Sequence, residues 1–417
     1  VVSVRSDFDP AAIPAPARAI CEALRADGHG AWVVGGCVRD HLLGRAVADW
    51  DLCTSARPER VMKLFARTIP TGLAHGTVTV VRDREHFEVT TLRGDGEYSD
   101  GRRPDAVRFL DDIADDLARR DFTVNAIAYD PIAEALVDPH GGLDDLRRGV
   151  LRAVGDPAQR FGEDGLRVLR GARFTASLGF DLDPATEAAI PGALGVLRRV
   201  SPERVREEWL KALRAPSPSR AFAVMARTGI LGVNIPALTA PTHDPTAWER
   251  SLRAVDACPP PATSRLAALL YTVDARLLEA WLRTTKFSNE ERATVVALRR
   301  ALPLAAPGAW SDADVRRWLR GVGRAAAGPV LDVAAAVHGE AALEGLRARV
   351  DAALASQVPL SMGELAIDGT ALMGALGMEP SRALGLLLAG LLEQVLEDPS
   401  RNTPETLLAL ARAARSH

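Results

Sequence analysis

The chain has 417 residues, more than one hydrophobic core usually supports, so two to four domains are expected. Apolar residues make up 47% and charged residues 25%, which describes a soluble globular protein; the net charge of −3 excludes a globally basic nucleic-acid binder, so contact with nucleic acid must come from local sites. The four cysteines (Cys21, Cys37, Cys53 and Cys258) form neither a CxxC pair nor a metal-ligand spacing, pointing to a reducing, cytoplasmic compartment without structural zinc.

Residues 1–30 are predicted to form a lead-in helix around Ile20 and Leu24. From 31 to about 92 the pattern changes to short strands, AWVV, DWDLCT, GTVTVV and HFEVTTL, with VMKLF a helix between the second and third. A Gly-Gly turn and a short helix, within GGCVRDHLLGRAVA, separate the first two strands. The expected product is a small mixed sheet with Asp49, Asp51 and Glu88 all on strands. Residues 93–106 (RGDGEYSDGRRPDA) are polar and glycine-rich, long for a connection inside a compact domain and therefore a candidate functional loop. From about 108 onward the chain is expected to be almost entirely helical, with joints at 155–157, 215–218, 235–245, 258–262 and 303–308. No secretory signal is visible, and the longest apolar run, Ala383–Leu392, is too short to span a bilayer and fits a buried helix. The fold class is α+β, a mixed-sheet head followed by a long helical body.

The chemistry concentrates in three segments. In GGCVRDHLLGRAVADWD (35–51), side chains two apart on a strand point the same way, so Asp49 and Asp51 converge. Paired carboxylates beside a glycine turn suit metal-assisted nucleotidyl transfer: Mg²⁺ is typically held by one or two carboxylates plus substrate phosphates, and two ions can serve the attacking and leaving oxygens. Glu88 is a candidate third or supporting carboxylate, and Gly36 and Arg39 are candidates for the triphosphate, through a backbone amide and a guanidinium. In LARRDFTVNAIAYD (117–130), Arg120 can reach a phosphate and Asn125 suits a ribose hydroxyl, with Asp121 beside them at the start of a helix-like run. In GEDGLRVLRGARF (162–174), Asp164 and Arg167 at i, i+3 would share a helix face, and Arg170 and Arg173 continue the stripe.

That last pair has a chemical consequence. A carboxylate accepts from an exocyclic amine while a guanidinium donates to a ring nitrogen or carbonyl. Cytosine and adenine both fit such an edge. Uracil and guanine reverse the order and leave buried groups unpaired, at roughly 1–3 kcal/mol per group. Lysine occurs only at positions 63, 211 and 286, so arginine carries nearly all the positive charge; a compositional bias explains this generally, while at these positions the guanidinium fork suits phosphates and base edges. Each segment alone also has an ordinary reading, a strand-end cap or a salt-bridged helix.

Taken together and in this order, GGCVRD with DWD, HGTVTVV, FEVTTLR, GEYSDGRRPD, ARRDFTVNA, VDPHGGLDDLRRGVLRAVGDP, GEDGLRVLRGARF and SPERVREEWLKAL resemble the class II CCA-adding enzymes, or tRNA nucleotidyltransferases. These share the DNA polymerase β-type nucleotidyltransferase superfamily with bacterial poly(A) polymerases. The resemblance runs from about 31 to 213. It implies a nucleotidyltransferase head (1–150, with the loop near 93–106), a nucleotide-selecting neck (151–215), a helical body (216–308) and a tRNA-binding tail (309–417). It implies addition of C and A to the tRNA 3′ end from CTP and ATP, with Mg²⁺ on Asp49 and Asp51. Gly36, Arg39, Arg120, Asp164, Arg167, Arg170 and Arg173 become nucleotide contacts, and Asp121 and Asn125 lie near the ribose. The loop at 93–104 matches one needed for the final A, which argues against a CC-only enzyme. Three alternatives follow: an A-adding enzyme with a separate CC-adding partner, a poly(A) polymerase, and a non-catalytic RNA-binding protein on the same fold.

Departures accompany the resemblance. Gly165 stands where the family more often has Ala or Pro, a mild helix cost. Residues 242–274 are similar to an HD-type domain, but Leu269-Leu270 is followed by Tyr271-Thr272 rather than His-Asp, so no phosphohydrolase is expected. His243-Asp244 is expected to be a loop turn, and Trp281, Trp310 and Trp318 are expected in the core.

Overall fold

β-Branched runs build the sheet at the centre of the head. In chain order the strands are β1 (Ala31–Val34), β2 (Leu52–Thr54), β3 (Thr68–Gly72), β4 (Thr77–Arg82), β5 (Glu85–Thr91), β6 (Arg93–Asp95), β7 (Val107–Phe109), β8 (Ala128–Asp130) and β9 (Ala135–Val137). Seven form one sheet in the order β3-β4-β5-β2-β1-β8-β9, while β6 and β7 pair as a separate ribbon. β2 and β5 run parallel and the other neighbours antiparallel. In β5, Phe87 and Val89 are buried opposite Val80 and Val78, and the period of two turns Glu88 and Thr90 to the other face, towards a cleft. The structure is a computed structural model and describes residues 8–95, 107–235, 244–302, 304, 308, 310–343 and 345–415.

Three expectations are corrected. β8 and β9 lie beyond 108, where the chain is expected to be almost entirely helical, and they extend the sheet beside β1. β2 begins at Leu52, so Asp49 and Asp51 precede the strand rather than sit on it. Asn125 belongs to a 3₁₀ turn (Thr123–Asn125) leading into β8, not to a helix start. Residues 96–106 of the expected functional loop lie outside the described residues; its described flanks are held by pairing of Arg93 with Phe109 and Gly94 with Arg108.

The helices of this part are α1 (Ala15–Ala26), α2 (Gly36–Leu42), α3 (Pro58–Leu64), α4 (Ile113–Ala118), α5 (Gly142–Arg148), α6 (Pro157–Glu163), α7 (Leu166–Leu178), α8 (Pro184–Leu197), α9 (Pro202–Arg214), α10 (Pro218–Arg227) and α11 (Ile230–Asn234). α1 buries Ala17, Ile20, Cys21 and Leu24, the i, i+3, i+4 stripe of a helix backing a core. α9 and α10 both pack on α7. The chain divides into two compact units, 1–242 and 243–417, so the turn at 215–218 lies inside the first.

The second unit is helical throughout its described residues. Asp244 accepts from the backbone N–H of Thr246 and Ala247 and caps the helix Pro245–Ala257, as a loop turn should; His243 lies outside the described residues. Ser288 with Glu291, and Ser311 with Asp314, form capping boxes. Trp281 is buried, whereas Trp310 and Trp318 are a half-buried pair with ring centroids 6.0 Å apart. Ala383–Leu392 belongs to the helix Arg382–Glu397, which buries Leu384, Leu391 and Leu392 but leaves Leu386 65% exposed, so it is a surface helix with one buried face rather than a buried one. Among the described residues no helix is long and apolar enough to cross a membrane.

Candidate active site

The site begins at the Gly-Gly turn. Gly35 has φ 77° and ψ −125°, a conformation that only glycine adopts without strain. A Cβ on Gly35 would stand 2.5 Å from Nη1 of Arg120, so the missing side chain also lets that guanidinium lie against the turn. Arg120 donates to the Asn125 carbonyl at 3.3 Å and to Oδ2 of Asp116 at 3.3 Å. Asp116 is 2% exposed and also accepts from Arg119 Nη2 at 2.9 Å and from the Arg93 backbone N–H at 3.2 Å. Burial would raise its pKa, but the Arg119 and Arg120 charges overcome that and hold the carboxyl below its usual range.

Asp49 and Asp51 flank Trp50, whose ring packs edge-on to Phe8 at 6.4 Å and beside His41 at 6.5 Å. Trp50 is half-buried, whereas Asp49 and Asp51 are exposed. The Asp51 carbonyl accepts from the Val34 backbone N–H at 3.1 Å, tying this segment to the end of β1. Leu52 stands opposite Val89 on the parallel neighbour, which brings Asp51 and Glu88 level. Although the residue is exposed, partial desolvation where Asp51 lines the cleft, then the charges of Glu88 and Asp49, push its carboxyl up, with Arg120 opposing. Carboxylates that repel one another fit a cation. Among the described residues no three His, Cys, Asp or Glu side chains form a metal-binding group, and Glu88 stands as a charged neighbour of Asp51.

A buried polar chain joins the head to α7. Arg39, 8% exposed, clasps Asp40 with Nε at 2.9 Å and Nη2 at 2.8 Å, and its Nη1 donates to Oδ1 of Asn125. Asn125 Nδ2 donates to Oδ1 of Asp121 at 3.0 Å, and Arg170 Nε donates to Oδ2 of Asp121 at 2.7 Å. Burial would raise the Asp121 carboxyl, but the Arg170 charge and the hydrogen bonds from Asn125 and Arg170 hold it at about 2. Phe174 sits among three guanidiniums, with those of Arg39, Arg170 and Arg173 at 5.4, 5.3 and 3.8 Å from its ring centroid.

Asp164 departs from expectation. α6 ends at Glu163 and α7 starts at Leu166, and Asp164 lies extended between them (φ −143°, ψ 110°), so it shares no helix face with Arg167. Its Oδ1 accepts from the Leu166 backbone N–H at 2.9 Å, and its Oδ2 from Arg204 Nη2 at 2.7 Å. Arg167 is buried; it donates to the carbonyls of Arg160 at 2.8 Å and Arg119 at 3.0 Å and pairs with Glu163. Arg173 Nε donates to the buried Glu208 at 2.5 Å.

One cleft of about 610 Å³ within the first unit is lined by Gly36, Arg39, Asp51, Glu88, Arg120 and Asp121, and by Asn125, Asp164, Arg167, Arg170 and Arg173. Of the predicted residues only Asp49 is absent from its lining. Arg93, Asp116, Arg119, Phe174 and Arg204 also line it and were not foreseen. Asp116 could have been found from its i, i+3 and i, i+4 spacing to Arg119 and Arg120. Arg204 carries no such local signal, because its partner is 40 residues away.

A family model described as "Poly A polymerase head domain" matches residues 31–152, "Probable RNA and SrmB- binding site of polymerase A" matches 179–240, and a tRNA nucleotidyltransferase domain 2 model matches 261–411. The chain is 34% identical over 404 residues to the CCA-adding enzyme of Limosilactobacillus fermentum, covering 95% of this chain and 96% of that one. It is 40% identical over 301 residues to the CCA-adding enzyme of Geobacillus stearothermophilus, covering 70% and 72%. The crystal structure of the Bacillus stearothermophilus CCA-adding enzyme in complex with CTP is similar with a TM-score of 0.80 at 34% identity, covering 97% of this chain and 99% of that one.

Proposed function

The chain belongs to the CCA-adding enzymes, and on that premise we propose how its own residues carry out the reaction. It adds C and A residues to the 3′ end of tRNA from CTP and ATP and releases pyrophosphate. The relatives that match nearly the whole chain are CCA-adding enzymes, and nothing in those comparisons favours an A-adding enzyme, a poly(A) polymerase or a non-catalytic RNA binder.

Asp49 and Asp51 would hold the metal, proposed as Mg²⁺ because hard oxygen ligands and a triphosphate substrate suit it. Bound there, it supplies the positive charge that favours attack of the terminal 3′-hydroxyl on the α-phosphorus and departure of pyrophosphate. Glu88 adds negative potential beside Asp51. The Gly36 amide and Arg39 and Arg120 take the triphosphate, with Arg39 oriented by Asp40 and Asn125. Asp121 and Asn125 stand by the ribose and keep Arg170 and Arg39 in place. Arg170 and Arg173, arrayed round Phe174, complete the nucleotide seat. Asp164 and Arg167 read the base. Carboxylate accepts from the amine of cytosine or adenine, and guanidinium donates to the ring edge.

Residues 1–150 act as head, 151–215 as neck, 216–308 as body and 309–417 as tail, with body and tail gripping tRNA by shape and phosphates. Four free, buried cysteines support a cytoplasmic setting. The observation that carries the reading is that a single cleft holds both the carboxylate beside Glu88 and the Asp164–Arg167 wall. Changing Asp49→Ala and Asp51→Ala together should abolish nucleotide addition while tRNA binding, measured by filter retention, stays nearly intact. Surviving addition would remove these carboxylates from the metal role.

A further inference from the structure

α9 braces two side chains that line the cleft, Asp164 and Arg173. Arg204 and Glu208 are four residues apart, hence on one face. Arg204 reaches Asp164, with Nη2 to Oδ2 at 2.7 Å and Nη1 to Oδ1 at 3.4 Å, and Glu208 reaches Arg173. The helix is a firm support, since Trp209 is fully buried and packs against Phe222 at 5.0 Å between ring centroids.

The Asp164 carboxylate is thereby held at both ends. The backbone N–H at the start of α7 takes Oδ1, and Arg204 takes Oδ2. An ionised carboxylate oxygen accepts more than one hydrogen bond, so Oδ2 keeps acceptor capacity for a base amine. Without Arg204, Oδ2 loses its described partner and the carboxylate keeps only the Leu166 backbone N–H on Oδ1, a single anchor about which it can swing. Selectivity depends on that fixity. UTP or GTP presents a carbonyl where CTP or ATP presents an amine, and a carboxylate that cannot turn away repels it, whereas a free one retreats.

We infer that Arg204 is a positioning residue for base selection: it acts through Asp164, holding the carboxylate so that only a base offering an amine is accepted. The inference rests on Asp164 reading the base, and its test separates the two. The full-length protein carrying Arg204→Ala, Arg204→Lys, Asp164→Ala or both alanines is assayed on tRNA with CTP, ATP, UTP and GTP, giving kcat and KM for each, with thermal melting alongside.

Arg204→Ala should lower the preference for CTP over UTP about 10-fold or more, chiefly through a higher kcat/KM for UTP. Arg204→Lys, keeping the charge but not the two-pronged geometry, should recover part of it and serves if the alanine variant does not fold. In the Asp164→Ala background, Arg204→Ala should change selectivity no further. A merely structural role would depress all four nucleotides alike. Unchanged selectivity in Arg204→Ala, or an undiminished effect without Asp164, overturns the inference. If Asp164→Ala itself leaves selectivity intact, the base-reading role of Asp164 fails and the inference fails with it. If Asp164→Ala blurs selectivity and Arg204→Ala does not, only the inference about Arg204 fails.

Discussion

Asp121 is held ionised by Arg170 and Asn125 against the effect of its burial, with a pKa of about 2, below the ordinary carboxylate range. A carboxylate whose folded pKa is depressed stabilises the fold above its unfolded pKa, near 3.9, and loses that contribution as pH falls towards 2. The magnitude is about 2 kcal/mol. Asp121→Asn should therefore be less stable than the parent at pH 7 in urea denaturation, and the gap should narrow between about pH 4 and pH 2. A gap independent of pH over that window would contradict the ion-pair origin. Residue identities at this scale were legible in the sequence: an arginine stripe, paired aspartates and an asparagine with two-way hydrogen bonding. Their partners were not. Asn125 spends both ends of its amide on Arg39 and Asp121, and Asp164 is held by an arginine 40 residues on, because such contacts depend on how α2, α7 and α9 come together.

The junction of α6 and α7 shows how an element boundary alters chemistry. Gly165 is the N-cap of α7, not an interior residue, so the expected helix cost does not arise. Its role is steric instead: a Cβ would stand 2.5 Å from the backbone nitrogen and 2.6 Å from the Cα of Leu197 at the end of α8. Backbone cannot move aside as a side-chain tip can. Gly165→Ala should cost roughly 1–3 kcal/mol in chemical denaturation and raise nucleotide KM by shifting Asp164 next to it. Full parent stability in the variant would refute the close approach. Strands with strong alternation, β4 and β5, were legible, as was the Gly-Gly turn. β8 and β9 were not, since three-residue strands owe their existence to the neighbour they pair with. The same holds for Asp49 and Asp51. Their alternation around Trp50 was read as that of a strand, which begins three residues later, at Leu52.

Over the whole molecule, the motifs carrying the chemistry all fall in the first unit, which holds the described cleft. Its eight lining arginines outnumber its five lining carboxylates, so a chain with net charge −3 still presents a positive surround to a triphosphate. That local excess was not legible in the sequence, where the candidate residues balance at five arginines and five carboxylates; Arg93, Arg119 and Arg204 supply it. The second unit offered little to read. Its described helices show mainly caps and apolar stripes. The central claim is most directly tested with purified protein, Mg²⁺ and tRNA transcripts ending before CCA, after C and after CC, each offered labelled CTP, ATP, UTP or GTP. Extension of all three to a complete CCA end, with UTP and GTP refused, is expected. Extension of only the transcript ending in CC, by ATP alone, would contradict it.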